Sequence, residues 1–329
     1  MANMTECSDK PLTRTILVTR HDKIGDFVLA LPLCKAIKED HPDIRLGVLV
    51  SEANYEFANA LEFIDYVILY GRSFSNTVRA IRKIKPDLSI SCYIDNRLGA
   101  LLLAAGVPRR IAPATKLAQM FFNQTIVQRR SKVEKTEWQY NMDLGLAAYP
   151  TDTLHFAPPL LAFPKSSTQS NRVIFHPGSG GSSEGNLKLT DYLSLARLAA
   201  SIKNVEVTFT FGPSDQFLLD QVKHTLDFPA ILISKPMSLV DFSKFISESR
   251  LFVSTSTGPM HLAGAVNTPT LSFFGTSLFA SDRRWAPISG PKYQSNFLVR
   301  PDYEPSLVDR IASHMVSLLT RTDLERGSA

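Results

Sequence analysis

Short apolar runs alternate with amphipathic helical patterns along most of the chain, and the alternation breaks once. "TILVTR" (15–20), "IRLGVLVS" (44–51), "DYVILYG" (65–71) and "DLSISCY" (87–93) are short runs rich in residues that favour strands. Between them lie "FVLALPLCKAIKED", "NYEFANAL", "FSNTVRAIRKIK" and "NRLGALLLAAG", which read as helices. Continuous apolar strands separated by helices signal a parallel sheet covered on both faces. Pro32 falls inside the first helical run, where it either restarts the helix or kinks it. Residues 157–171, "APPLLAFPKSSTQSN", carry three prolines and then a Ser/Thr/Asn cluster, the composition of a linker. The alternation then resumes from "RVIFHPGS" to "TPTLSFFG", and an amphipathic helix occupies 306–320. The expected fold class is therefore α/β, with two similar units joined by the linker. A length of 329 residues, too long for one core, agrees. Ligands of open parallel sheets bind beyond the carboxyl ends of the strands, so the cleft between the units is the expected site.

Composition narrows the function classes. Hydrophobic residues make up 44% and charged residues 20%, as in soluble globular proteins. No run approaches the length of a membrane span, and the first residues lack a secretory apolar region, so a cytoplasmic location is expected. A net charge of +5 suits a phosphate-rich ligand, an anionic membrane surface or nucleic acid. The three cysteines, Cys7, Cys34 and Cys92, form no zinc-like or paired spacing, so neither disulfides nor a structural metal is expected. No cofactor is expected either.

Three strand ends carry candidate chemistry. "FHPGSGGSSEGNLK" runs from a strand through a Gly/Ser-rich turn, including Ser179 and Gly180, to Lys188 at a helix start. Small residues let backbone N–H groups approach an anion, and the lysine adds a point charge. The spacing is not that of a P-loop, because Asn186-Leu187 stand where Lys-Ser/Thr would follow. "FVSTSTGPMHLAGA" ends a strand at Ser256 and Thr257, turns through Gly258 and opens a helix near His261. Hydroxyls at a helix start suit phosphate or sugar oxygens, and Thr257 equally suits an ordinary N-cap. "TFGPSD" brings Ser214 and Asp215 to a third strand end, where either can meet a ribose, though a simple turn fits the segment equally. Two anion-friendly turns in one unit suggest a nucleotide diphosphate between them. The first unit holds basic clusters instead: Arg79, Arg82, Lys83 and Lys85 on one helix, Arg109 and Arg110, and "RRSK" at 129–132. These suggest an anionic second substrate. No aromatic residues interleave with them, so nucleic acid is not expected. In the first turn, "TRHDKIGDFVLALP", Asp22 reads as a turn residue, while Asp26 is open to two readings, N-cap or catalytic acid–base group.

Together "RHDKIGDFVLALP", "FHPGSGG…LK", "STSTGPMHLAGAVNTPTLSFFGTS" with "RRWAP", and "KTEWQYNMDLGL" resemble glycosyltransferase family 9, the ADP-heptose–lipopolysaccharide heptosyltransferases. The resemblance implies a GT-B fold of two Rossmann-like domains. An acceptor domain would span 1–160, with the helix at 305–320 packing back on it, and a nucleotide-sugar domain would span 161–304. It implies an inverting, metal-independent transfer with Asp26 as general base and Lys188 on the donor phosphates. Ser179, Gly180, Ser214, Asp215, Met237, Ser256, Thr257, Gly258 and His261 would hold the donor. Met237 matches a residue whose backbone meets the adenine. Lys23, Arg79, Arg82, Lys83, Arg109 and Arg110 are the expected acceptor contacts, and the acceptor would be an anionic lipopolysaccharide core met at the inner face of the cytoplasmic membrane. Two departures stand out: Ser256 replaces the family's usual Asp, and Ser214 or Asp215 replaces its usual Glu. Other readings are a transferase of another sugar, a protein acceptor, a nucleotide-sugar epimerase, or a non-catalytic nucleotide-binding module.

Overall fold

A computed structural model describes residues 14–149, 154–164, 170–178 and 183–320. In the first unit the elements run β1 (Thr15–Arg20), α1 (Ile24–Val28), α2 (Leu31–Asp40), β2 (Arg45–Val50), α3 (Glu52–Asn59), β3 (Tyr66–Leu69), α4 (Phe74–Ile84), β4 (Leu88–Ser91), α5 (Asn96–Ala105), β5 (Arg109–Pro113), β6 (Gln124–Ile126) and α6 (Glu137–Ala148). The second unit runs β7 (Arg172–His176), α7 (Leu189–Ala200), β8 (Glu206–Thr210), α8 (Gln216–Thr225), β9 (Ile231–Ile233), α9 (Leu239–Ser247), β10 (Leu251–Thr255), α10 (Gly258–Ala265), β11 (Thr270–Phe274), α11 (Asp282–Trp285), β12 (Gln294–Leu298) and α12 (Pro305–Thr320). All strand pairs are parallel, in the orders β3-β2-β1-β4-β5-β6 and β9-β8-β7-β10-β11-β12. The two orders are the same topology repeated. Each sheet reverses its winding between its first and fourth strands, which opens a crevice at the carboxyl ends of β1 and β4, and of β7 and β10.

The local reasons follow from the residues. Every residue of β1 is buried, as a central parallel strand requires. Pro32 sits in the first turn of α2, where its missing N–H costs nothing, so it starts a new helix rather than kinking one. β5 and β6 were not expected as strands. β5 begins on two arginines, and β6 is only 3 residues long.

The two units share a core. Leu29, Leu31 and Phe57 belong to the same buried cluster as Ile246, Leu262 and Ala265. α1 meets α10 so closely that a Cβ on Gly25 would stand 2.8 Å from His261 Cδ2. The linker is tied down as it crosses. Leu161 N donates to Ala265 O at 2.9 Å, and Lys35 Nζ donates to Pro159 O at 3.0 Å.

α12 corrects one expectation. It does not return to the first unit. Its buried stripe, Leu307, Ile311, Met315 and Leu319, joins the core of the second sheet with Tyr192 and Leu195 of α7. The i, i+4 spacing makes one continuous apolar face, and the second sheet is the surface it covers.

Candidate active site

Two adjoining cavities open at the crevice. One, of about 430 Å³, is lined by Asp22, Asp26 and Tyr93 of the first unit and by Ser183, Glu184, Ser256, His261, Phe279 and Trp285 of the second. The other, of about 340 Å³, is lined by His176, Gly178, Ser214, Asp215, Met237 and Phe242 among others. Lys23, Gly25, Thr257 and Gly258 line both, so the starts of α1 and α10 form the ridge between them.

Asp26 is the third residue of α1, and Lys23 is the cap, so the N-cap reading of Asp26 is set aside. Its carboxylate accepts a charge-assisted bond from Arg20 Nη2. Arg20 closes β1 and is almost wholly buried. Its Nε donates to Asp22 Oδ1 at 2.8 Å and its Nη1 to Glu137 Oε1 at 3.2 Å. Burial opposes the charge on Arg20, but Asp22, Asp26 and Glu137 outweigh it and raise its pKa. Asp26 fares differently. Burial, joined by repulsion from Asp22 and Glu137 and only partly offset by Arg20, pushes it up from 3.8 to about 6. Burial therefore dominates the balance at Asp26.

Opposite Asp26, Thr257 caps α10 without a side-chain hydrogen bond to the helix, and its hydroxyl donates to Thr255 O at 3.3 Å. The start of α10 thus faces the crevice as an anion-friendly terminus. His261 is buried in the next turn, and burial drops its pKa to about 3, so it is neutral. In the second cavity Asp215 is occupied by accepting from Gly212 N at 2.7 Å, and Gly178 passes directly under its carboxylate. Burial likewise lowers His176 to about 4.

The structure brings together Lys23, Asp26, Ser214, Asp215, Met237, Ser256, Thr257, Gly258 and His261. Ser179 and Gly180 lie outside the described residues. Lys188 caps α7 beside this loop, with its ammonium 5.5 Å from the centre of the Tyr303 ring, and lines neither cavity. Of the six arginines and lysines expected to bind the acceptor, Lys23 lines both cavities, and the placement of four others is a correction. Arg82 and Lys83 lie in the last turn of α4, and Arg109 and Arg110 begin β5. Both places are at the amino edge of the sheet, away from the crevice. Arg109 donates to Gln124 Oε1 and to the carbonyls of Ala147 and Ala148, and Arg110 to those of Val107 and Phe121. Arg79 bonds Asn76 on its own helix. Sequence reasoning missed Arg20, Glu137 and Trp285. Arg20 had left a signal, a charge ending an otherwise apolar strand.

The family model "Glycosyltransferase family 9 (heptosyltransferase)" matches residues 112–324. The chain belongs to glycosyltransferase family 9. A Haemophilus influenzae protein provisionally named a glycosyltransferase is 33% identical over an alignment of 298 residues that covers 83% of this chain and 86% of that one. Lipopolysaccharide heptosyltransferase 3 of Escherichia coli is 21% identical over an alignment of 297 residues that covers 80% of this chain and 84% of that one. Among solved structures, the E. coli ADP-heptose lps heptosyltransferase II superposes with a TM-score of 0.77 at 17% identity, covering 93% of this chain and 98% of that one. The fold is GT-B, and the family 9 chain is a glycosyltransferase.

Proposed function

We propose that this glycosyltransferase transfers heptose from ADP-heptose to an inner-core lipopolysaccharide acceptor, with inversion, without a metal, and with Asp26 as general base. The observation that carries the reading is Asp26 itself: a carboxylate in the crevice, raised to about 6, facing the start of α10 across the cavity. A base works best when its pKa lies near the working pH. The names of the E. coli relatives support the donor and the acceptor class.

In this reading the adenosine lies in the cavity lined by His176, Ser214, Asp215 and Met237. The diphosphate crosses the ridge at Thr257 and Gly258, with Lys23 beside it, and the sugar enters the cavity of Asp26 and Trp285. Lys188, with Ser179 and Gly180 on the loop before it, is assigned to the diphosphate, its side chain swinging off Tyr303 when donor binds. The acceptor hydroxyl oxygen attacks the sugar C1. Its proton passes to Asp26, the bond from C1 to the phosphate oxygen breaks, and that electron pair leaves with ADP. Backbone N–H groups and the lysines offset the charge that develops on the leaving oxygen. Once the acceptor stands on the Asp26 side, attack comes from the face opposite ADP.

With the basic helix faces excluded, another part of the first unit is better placed for a lipid-borne acceptor. Leu117, Met120 and Val127 are 80%, 83% and 74% exposed, within a segment that also exposes Lys116, Arg129 and Lys132. Apolar and basic groups together suit a peripheral contact with an anionic membrane. Among the described residues no helix is long and apolar enough to cross one.

The test is Asp26→Asn, assayed by mass spectrometry against nucleotide sugars with and without a Kdo-bearing lipid-core acceptor. Transfer should be abolished while ADP still binds. Near-normal turnover overturns the base. Consumption of donor without acceptor favours an epimerase, and tight ADP binding with no turnover for any acceptor favours a binding module.

A further inference from the structure

The charge cluster behind Asp26 spans both units. Glu137 opens α6 and is 1% exposed. Its Oε1 accepts from Arg20 Nη1 at 3.2 Å and from Arg130 Nη1 at 2.6 Å. Its Oε2 accepts from Arg284 Nη2 at 3.4 Å. Arg20 is the same guanidinium that holds Asp26. Arg284 belongs to α11, next to Trp285 on the cavity wall, so it reaches Glu137 from the other unit. Glu137 thus joins the donor side of the crevice to the cation on the base in two steps.

Stability alone is a poor reason for this arrangement. Buried ion networks carry a desolvation cost of several kcal/mol per ion, and apolar residues of similar size often do as well. Placement gives a better reason. A carboxylate shared among three guanidiniums draws on each less than one shared between two.

We propose that Glu137 is a positioning residue that relays the seating of the second unit, through Arg284 and Arg20, to the carboxylate of Asp26. The proposal rests on the reading of Asp26 as the base. When the crevice is closed, Arg284 takes part of the Glu137 charge, and Arg20 is free to turn toward Asp26. When the crevice opens and Arg284 withdraws, Glu137 draws Arg20 back, and Asp26 holds its proton more tightly. The base is then ionised most readily in the closed form, where substrates are aligned.

The groups around Asp26 give the direction of each change. Arg20 on β1 favours its ionisation, while Asp22 in the next turn and Glu137 on α6 oppose it. Lys23, Tyr93, Glu184 and the neutral His261 complete the titratable groups lining its cavity. Removing the charge of Glu137 should make Asp26 easier to ionise. Removing that of Arg284 should make it harder, because Glu137 then draws on Arg20.

The experiment uses full-length protein and needs no substrate. The Asp26 carboxyl is titrated by infrared difference spectroscopy, with Asp26→Asn as the blank that assigns the band, in wild type, Glu137→Gln and Arg284→Gln. The midpoint should move down in Glu137→Gln and up in Arg284→Gln, each by about half a pH unit or more, as expected for charges coupled at this range. Direct repulsion alone moves the Glu137→Gln midpoint down, so the relay is read in Arg284→Gln, whose midpoint a merely structural network would leave in place. An Arg284→Gln midpoint that stays in place or moves down overturns the relay. Arg284 is a fifth exposed and makes a single bond to Glu137, so Arg284→Gln decides the matter even if Glu137→Gln does not fold. Failure of the base reading is seen separately, as transfer retained by Asp26→Asn.

Discussion

Replacing Asp26 by Asn should stabilise the protein while ending transfer, and the gain should grow with pH. The carboxyl rises from 3.8 to about 6 on folding, chiefly through burial. The folded state therefore binds the Asp26 proton more tightly than the unfolded state does. The stability this gives is fully present below the unfolded value and is lost as pH climbs through about 6. At about 1.4 kcal/mol per unit, the full loss is about 3 kcal/mol, and roughly half of it has accrued by about pH 5. The asparagine does not titrate, and its oxygen still accepts from Arg20. The stability gap between variant and wild type should then widen by about 1.4 kcal/mol from about pH 5 to about pH 8. At about 2 °C per kcal/mol for a chain of this size, the gap in Tm should widen by about 3 °C. Paired thermal melts of the two proteins at both pH values provide the measurement. A gap that stays constant or narrows as pH rises refutes the buried, raised carboxyl, and with it the argument for Asp26 as a tuned base.

The same carboxyl predicts that the transfer rate falls as pH drops through about 6, an acid limb readable in a pH–rate profile taken with saturating donor. Gly25→Ala would place a Cβ 2.8 Å from His261 Cδ2, pressing α1 off α10. Transfer should fall at least about tenfold with the fold retained, as circular dichroism and paired kinetics would show. Arg82→Ala together with Lys83→Ala should leave the KM for the acceptor unchanged, because the last turn of α4 lies at the far edge of the sheet. Arg109→Ala should instead cost about 1–3 kcal/mol in urea unfolding, since its guanidinium serves Gln124 and two carbonyls of α6.

Legibility in the sequence followed the range of each interaction. The first four strands were readable because a buried parallel strand is written in consecutive residues, and "TILVTR" coincides with β1. β5 was not, because Arg109 and Arg110 read as a charge cluster when they are the half-buried start of a strand whose later residues are buried. Asp26, Thr257, Gly258 and His261 were readable because each stands within a few residues of a strand end, and the strand end fixes the mouth of the crevice. The basic helix misled for a related reason. Its spacing shows which residues share a face, but not which end of the helix points to the ligand. α4 runs from the carboxyl edge to the amino edge, so its last turn is the turn furthest from chemistry. Glu137 was out of reach altogether. It meets Arg20 across 117 residues of chain, and nothing local distinguishes it from any other acid in the first turn of a helix.

The repeated topology explains why, in the proposed reaction, base and donor come from different units. Each sheet has one crevice, where its first and fourth strands part, and a parallel sheet has its chemistry at the carboxyl edge. When two such sheets face each other, the turn after β1 meets the turn after β10, and this contact is the abutment of Gly25 on His261. A single unit can hold either the base or the nucleotide, but the reacting geometry exists only when the two are seated together. The side-chain network has the same division. Arg20 and Glu137 belong to the unit of Asp26, and Arg284 to the unit with the anion-friendly turns. A transferase that must not spend its donor on water benefits from a base that is competent only in the closed cleft, and the three guanidiniums gathered on Glu137 provide a physical means of making it so.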